Sequence, residues 1–258
     1  MKLLKEIFSY RQMIYSLVKK DLRGRYKGSI LGFLWTFLNP LLQLAVYTFV
    51  FSIVLRAGIE RFYLFLFVAL VPWIFFSSSV TTGCTCILAQ KDLVKKIYFP
   101  RQVLPISYVL SSFVNMLFSF IVIFAVLLFS GVGIKLEAIL FLPIIMFVEL
   151  VLALGMALLC SALNVYFRDL EHILGIIMMA WMYMTPVMYN VESVPDKYLS
   201  IFYANPMTPI TVAYRDILYY QQVPRMSTLV HALIFGIGTL IFGNIVFSIL
   251  QKSFAEEL

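Results

Sequence analysis

From Gly28 to Leu55 the chain carries no charged residue, and directly before this run stand Arg23, Arg25 and Lys27. About 20 apolar residues suffice to cross the hydrocarbon core of a bilayer, so this run spans it with length to spare. Basic residues are retained on the cytoplasmic side of a membrane. One stretch therefore predicts a membrane protein, its first span and its orientation.

Composition agrees. Hydrophobic residues make up 62% of the chain and charged residues 13%, half the share usual in a soluble domain. Too little polar surface is available to cover such a fold in water, so lipid is its solvent. The formal charge of +7 lies between apolar runs rather than on one soluble face. It reads as a topology signal and as contact with anionic lipid, not as a nucleic-acid surface. Cys84, Cys86 and Cys160 all fall inside apolar runs with no histidine beside them, which predicts small buried side chains rather than a metal site.

The predicted fold is all-α and polytopic, a single transmembrane domain over 1–258. Residues 3–20 predict an amphipathic helix lying in the membrane interface, with Leu4, Ile7, Phe8, Ile14, Tyr15 and Val18 on its apolar face. Arg11 interrupts that face and is expected to snorkel. This helix belongs to a cytoplasmic segment, 1–29. Six spans follow within 30–250, at 30–55, 62–89, 103–130, 138–163, 172–189 and 229–250, and 251–258 is a short cytoplasmic tail. With both termini inside, the cytoplasmic segments hold 14 of the 20 Lys and Arg residues; the outer stretches hold Arg56, Arg61, Lys135, Lys197, Arg215 and Arg225. Between the last two spans, 198–203 and 210–220 are apolar but too short to cross, which predicts two short helices re-entering from the outer face.

Glu149 is the one ionisable residue in the middle of a span. Such placement costs about 2.5–3.5 kcal/mol on insertion scales, so the carboxyl must face protein or water, as a pathway residue or as a hydrogen-bond partner of a neighbouring helix. On the cytoplasmic side, Asp92, Leu93, Val94, Lys95, Ile97 and Tyr98 predict a short helix with an apolar stripe among charges. The segment Asn164–Glu171 has the same mixture. Exposed apolar side chains of this kind mark a partner surface, and charge placed at Val94 or Ile97 is expected to break that docking. Gly24, Gly28 and Gly32 have the small-xxx-small spacing of a close helix contact. There is no nucleotide-binding Gly-x-x-x-x-Gly-Lys loop and no catalytic constellation, so energy for any active transport must come from another chain.

Four motifs in order resemble the membrane subunit of type-2 ABC exporters, in particular the polysaccharide (O-antigen, capsule) and teichoic-acid export permeases. They are Arg25-Tyr26-Lys27-Gly28-Ser29-Ile30-Leu31-Gly32-Phe33-Leu34-Trp35 leading to Asn39-Pro40; Phe99-Pro100-Arg101-Gln102-Val103-Leu104-Pro105; Asn164-Val165-Tyr166-Phe167-Arg168-Asp169; and Thr185-Pro186-Val187-Met188-Tyr189, followed by Asn205-Pro206-Met207-Thr208-Pro209 and Arg215. The resemblance covers nearly the whole chain.

It implies a homodimer in the bacterial cytoplasmic membrane, with two ATPase subunits docked below on a coupling helix at 91–99. It implies ATP and Mg2+ in those subunits, no cofactor on this chain, and a lipid-linked glycan as cargo. Aromatic faces suit a wide, hydrated sugar chain. Tyr183, Tyr189, Tyr203, Tyr214 and Tyr219 near the outer end are the lining candidates, and Arg23, Arg25 and Lys27 at the inner surface are the candidates for a phosphate headgroup. An exporter of a drug or small lipid, an ion-coupled secondary transporter and a non-transporting scaffold are the rival readings.

Overall fold

The computed structural model describes all residues except Met1, Tyr26, Lys27, Leu55 and Ala57, and its described residues form helices and connecting turns with no strand. The N-terminal region holds α1 (Lys2–Ser9) and α2 (Arg11–Gly24). A 3-10 turn (Gly32–Leu34), α3 (Trp35–Thr48) and a π-helical end (Phe49–Val54) make the first span. Then come α4 (Phe62–Ala89), α5 (Lys91–Lys96), α6 (Val103–Ser130), α7 (Leu136–Ile139), α8 (Leu142–Tyr166) and α9 (Leu170–Met184). The chain closes with α10 (Asp196–Ala204), α11 (Met207–Leu218), α12 (Met226–Leu250) and α13 (Phe254–Glu257).

Among the described residues, five helical segments are long and apolar enough to cross a membrane: Gly32–Val54, Phe62–Ala89, Val103–Ser130, Leu136–Tyr166 and Met226–Ser253. The fifth expected span is shorter than predicted. Its helix α9 has 15 residues, about 22 Å at 1.5 Å per residue, against a hydrocarbon core of about 30 Å. It stops because Pro186 bars helical backbone at the residue before it, and Thr185 is extended. The rest of 185–190 runs on as turns, in a place where protein can satisfy its backbone.

Helix α4 is the axis of the bundle. It is apolar on every side, as a helix must be when it is surrounded, and it packs against α3, α6, α8, α9 and α11. Helix α12 packs mainly along α8. Outer faces of the first span and of α12 remain exposed and apolar, with Val46, Ile53, Ile234, Ile241 and Phe242 open to lipid or to a second copy. Helix α6 ends cleanly where Gly131 takes the left-handed conformation (φ +69°) that releases the last turn.

The N-terminal amphipathic element differs from expectation in two respects. It is two helices, broken at Tyr10, and the second continues to Gly24. Its packed face is also rotated: Tyr10, Met13, Ile14 and Leu17 lean on the inner core, while Phe8 and Tyr15 point outward. Those two rings carry cations instead, the Arg11 guanidinium 4.8 Å from Phe8 and the Lys19 ammonium 5.8 Å from Tyr15. Both arrangements suit an interface where ring and cation share the headgroup layer. The proposed glycine contact does not form. Helix α2 ends at Gly24, and Gly28 (φ +85°) and Gly32 (φ +47°) lie in turns, so the three share no helix face.

The tail is an anchor. Phe254 is fully buried against Phe247 and Tyr166, with the Arg101 guanidinium over its ring. Arg101 also donates to the Gln251 carbonyl, and Gln102 reaches Asn244 on α12 (3.2 Å). The Phe99–Pro105 motif thus ties the start of α6 to the end of α12.

Candidate functional site

Arg215 organises the end of the bundle expected to face outward. It sits on α11 and is 2% exposed, yet it faces no carboxylate among its hydrogen-bond partners. Its Nη2 donates to the Val187 carbonyl (2.7 Å), Nη1 to the Tyr189 carbonyl (3.0 Å) and Nε to the Phe65 carbonyl (3.4 Å). The guanidinium also lies 3.6 Å from the centre of the Phe65 ring. Burial pushes its pKa down to about 9, still above neutrality, so the cation persists at pH 7. Carbonyl dipoles and a ring face thus replace the water it has lost.

Asn205 makes a second joint. Its side-chain oxygen accepts from Trp181 Nε1 (2.8 Å) and from the Met207 N–H (3.0 Å), and its amide donates to Thr185 Oγ1 (2.9 Å) and the Met184 carbonyl (3.2 Å). The end of α9 and the start of α11 are pinned together. The motif residues Thr185–Tyr189, Asn205–Pro206 and Arg215, separate in sequence, converge on these two joints. Sequence reading counted Arg215 as an outer-loop cation. The signal against that was its place inside the apolar segment 210–220.

Glu149 lies on α8 and is fully buried. Tyr214 on α11 donates its hydroxyl to Glu149 Oε2 at 2.7 Å, while Oε1 has no hydrogen-bond partner among the described residues. The pair bolts a short outer helix to the centre of the bundle. Tyr214, a lining candidate, is itself fully buried and therefore borders no path on the subunit surface. Of the other four, Tyr183 and Tyr203 are exposed and Tyr189 and Tyr219 are half-buried. Tyr189 donates to the Tyr183 carbonyl (2.7 Å), and Tyr219 to the Glu60 carbonyl (2.6 Å). We expect Glu149→Gln, which keeps an acceptor for Tyr214, to melt near wild type. Glu149→Leu strands the hydroxyl and should cost about 1–3 kcal/mol. Thermal unfolding of the purified chain distinguishes them, and a Gln variant as unstable as the Leu variant would sink the latch.

At the opposite end, α5 presents its residues unequally. Val94 is buried with Phe99 in the inner core, and Leu93 leans on that core, so the expected apolar stripe is divided. Ile97 is 54% exposed and Tyr98 90%. They border a cleft of about 680 Å³ together with Lys95, Arg101, Gln251 and Lys252. On the other side of the tail, Phe167, Arg168, Leu170, Ile173 and Glu257 line a second cleft of about 570 Å³. The two loops singled out from sequence therefore flank one docked tail.

The basic residues at the start of the first span have separate fates. Arg25 pairs with Asp21 (2.8 Å) and reaches Ser112 on α6 (3.3 Å), and Asp21 also accepts from Ser111. It is spent on holding α2 to α6. Arg23 is exposed and, with Ser16, Lys19 and Lys20, lines a groove of about 660 Å³. Lys27 lies outside the described residues.

Residues 12–219 match the family described as ABC-2 type transporter. The chain belongs to this family. It is 36% identical to the O-antigen export system permease protein RfbA of Myxococcus xanthus, over 100% of this chain and 99% of that protein. It is 33% identical to the O-antigen export system permease protein RfbA of Klebsiella pneumoniae, over 95% of each. It is 22% identical to the polysialic acid transport protein KpsM of Escherichia coli, over 89% of this chain and 90% of that one. Membership covers both the α5 region and the Arg215 joint, so the inner clefts and the outer helix pair belong to one ABC-2 membrane subunit.

Proposed function

We propose that this chain is the membrane-spanning, channel-forming subunit of an ATP-driven exporter that moves a lipid-linked polysaccharide across the bacterial cytoplasmic membrane. The observation that carries the reading is the end-to-end likeness to O-antigen export permeases. Two copies assemble with two ABC ATPase subunits, which bind ATP and Mg2+; this chain binds no cofactor. Both termini lie in the cytoplasm, as the distribution of basic residues favours.

In this reading the ATPase occupies the clefts beside α5 and the tail. Closure of the ATPase dimer pushes on α5, whose buried Val94 passes the motion into the inner core. Arg23, Lys19 and Lys20 offer cations to a phosphate-bearing headgroup at the membrane surface. The outer helix pair α10–α11 moves as a unit, because Arg215 and Asn205 hold it to the end of α9.

Deleting the gene from its host tests the reading: surface glycan should vanish while the lipid-linked polymer accumulates inside, and the intact gene should restore export. Unchanged surface glycan, or transport driven by an ion gradient without ATP, would refute it. The division of α5 sharpens the coupling test. Ile97→Asp with Tyr98→Asp should reduce export at least ten-fold and release the ATPase on purification, with the melting temperature unchanged. Val94→Asp should instead unfold the inner core, since it buries an unpaired charge. Normal export by the Ile97/Tyr98 double variant would remove this surface from the docking site.

A further inference from the structure

A polar cavity at the end expected to face outward borders the Arg215 joint, with Arg215 in its wall, but its other polar side chains take no part in the two joints. Its volume is about 550 Å³, within the roughly 300–1,000 Å³ usual for small-ligand sites. Tyr203 of α10 and Tyr220 after α11 present exposed rings; Asn190, Glu192, Asp216 and Gln222 supply amides and carboxylates, and Arg225 a cation. It lies at the end where Tyr219 bonds Glu60 and the Lys135 N–H donates to Gln221 (2.7 Å), opposite α5 and the tail.

We propose that this pocket is a saccharide subsite, which holds a short segment of glycan as it leaves the bundle on the outer face. The proposal rests on the export reading above. Sugar rings offer apolar C–H faces and a rim of hydroxyls that both donate and accept. Tyrosine rings cover such faces at small entropic cost. Carboxylates accept from sugar hydroxyls, and amides and guanidinium groups donate to them. The side chains of Tyr203, Glu192 and Arg225 make no hydrogen bond among the described residues and can turn to a ligand, with the Arg225 charge acting on the nearby Asp216 carboxyl. Asn190 binds Tyr220 at only 3.5 Å and Gln222 binds Asp216 at 3.4 Å, both weak enough to exchange for sugar hydroxyls. The floor is preorganised: Asp216 follows Arg215, whose three carbonyl bonds fix α11. Neutral rings, opposed charges and amides together fit a hydroxyl-rich polymer better than a lipid tail or a simple anion.

The test uses the full-length chain in lipid nanodiscs and three soluble probes: rhamnotriose, mannotetraose and chitotetraose. Saturation-transfer NMR should show magnetisation passing to at least one of them. Transfer should fall at least five-fold in Tyr203→Ala and in Glu192→Ala, and persist in Tyr203→Phe. Both positions are exposed and make no hydrogen bond here, so their variants keep the fold, which elution profile and melting temperature verify. No transfer to any probe, or equal transfer to wild type and both Ala variants, overturns the subsite. Surface glycan is scored in cells in parallel. Wild-type export without saccharide binding refutes the pocket alone, whereas absence of any dependence of surface glycan on this chain refutes the export reading.

Discussion

Replacing Arg215 with Lys or Gln should abolish most export and lower the melting temperature of the purified chain, although Arg215 is buried beneath the outer surface. Its three carbonyl partners come from α4 and from the chain after α9. Each hydrogen bond to a charged donor contributes about 1.5–3 kcal/mol, and losing the donor also strands carbonyls in a dry interior. The contributions are not additive, so about 3–5 kcal/mol is the reasonable loss. Lysine should not rescue the fold. Its ammonium is a point charge and cannot reach three divergent acceptors while lying flat on the Phe65 ring. Export in the Lys variant should fall at least ten-fold, with residual protein unfolding at lower temperature. A Lys variant that melts and exports like wild type would show that Arg215 is merely tolerated there. Asn205→Ala should behave as a milder version, since it removes the other joint between α9 and α11 but leaves Arg215 with its three carbonyl partners.

Both joints also mark the boundary of what sequence reveals. Spans at 62–89 and 103–130 agree with α4 and α6 at both ends, because each apolar run is closed by charges or glycine and length alone decides the element. The fifth span was set at 172–189 because its apolar run extends that far. Its helix ends at Met184 because Thr185 precedes a proline, and because Arg215 claims the carbonyls of Val187 and Tyr189. Periodicity carries the first reason weakly and the second not at all. Glu149 shows the same division. That a mid-span carboxyl needs a partner follows from the cost of burial; that the partner is Tyr214, on an outer helix far along the chain, follows only from packing. The α5 stripe looked continuous because its four apolar residues fit one face. In the fold, Ile97 is already extended, and the stripe separates into an inward anchor and an outward surface.

Small residues were misplaced for a related reason. Spacing finds glycines four apart, but close approach depends on where two helices cross. Gly83 on α4 meets Ala157 of α8 closely, but the crossing where glycine faces backbone most tightly is α8 on α12. A Cβ on Gly155 would lie 2.5 Å from the Leu240 nitrogen and 2.7 Å from the Thr239 carbonyl carbon. One on Gly243 would collide with the Gly155 carbonyl oxygen. These are backbone atoms, which cannot swing aside as a side chain does. Overpacking usually costs about 1–3 kcal/mol through rotamer and backbone shifts, and here only the backbone is available to move. Gly243→Ala should therefore cost about 3 kcal/mol or more, and Gly243→Leu should yield almost no folded protein. Gly238 and Gly236, on the same helix, provide the controls. A Cβ on Gly238 meets nothing within 4 Å, and one on Gly236 meets its nearest atoms at 3.5 Å, an ordinary contact. Melting temperatures should rank Gly238→Ala near wild type, Gly236→Ala close behind and Gly243→Ala far below. If Gly243→Ala melts with Gly238→Ala, the helices are not in backbone contact and α12 is free to slide on α8. If the ranking holds, α8 and α12 move as one body during export, and the mobility that opens a path must lie at the other faces of the bundle.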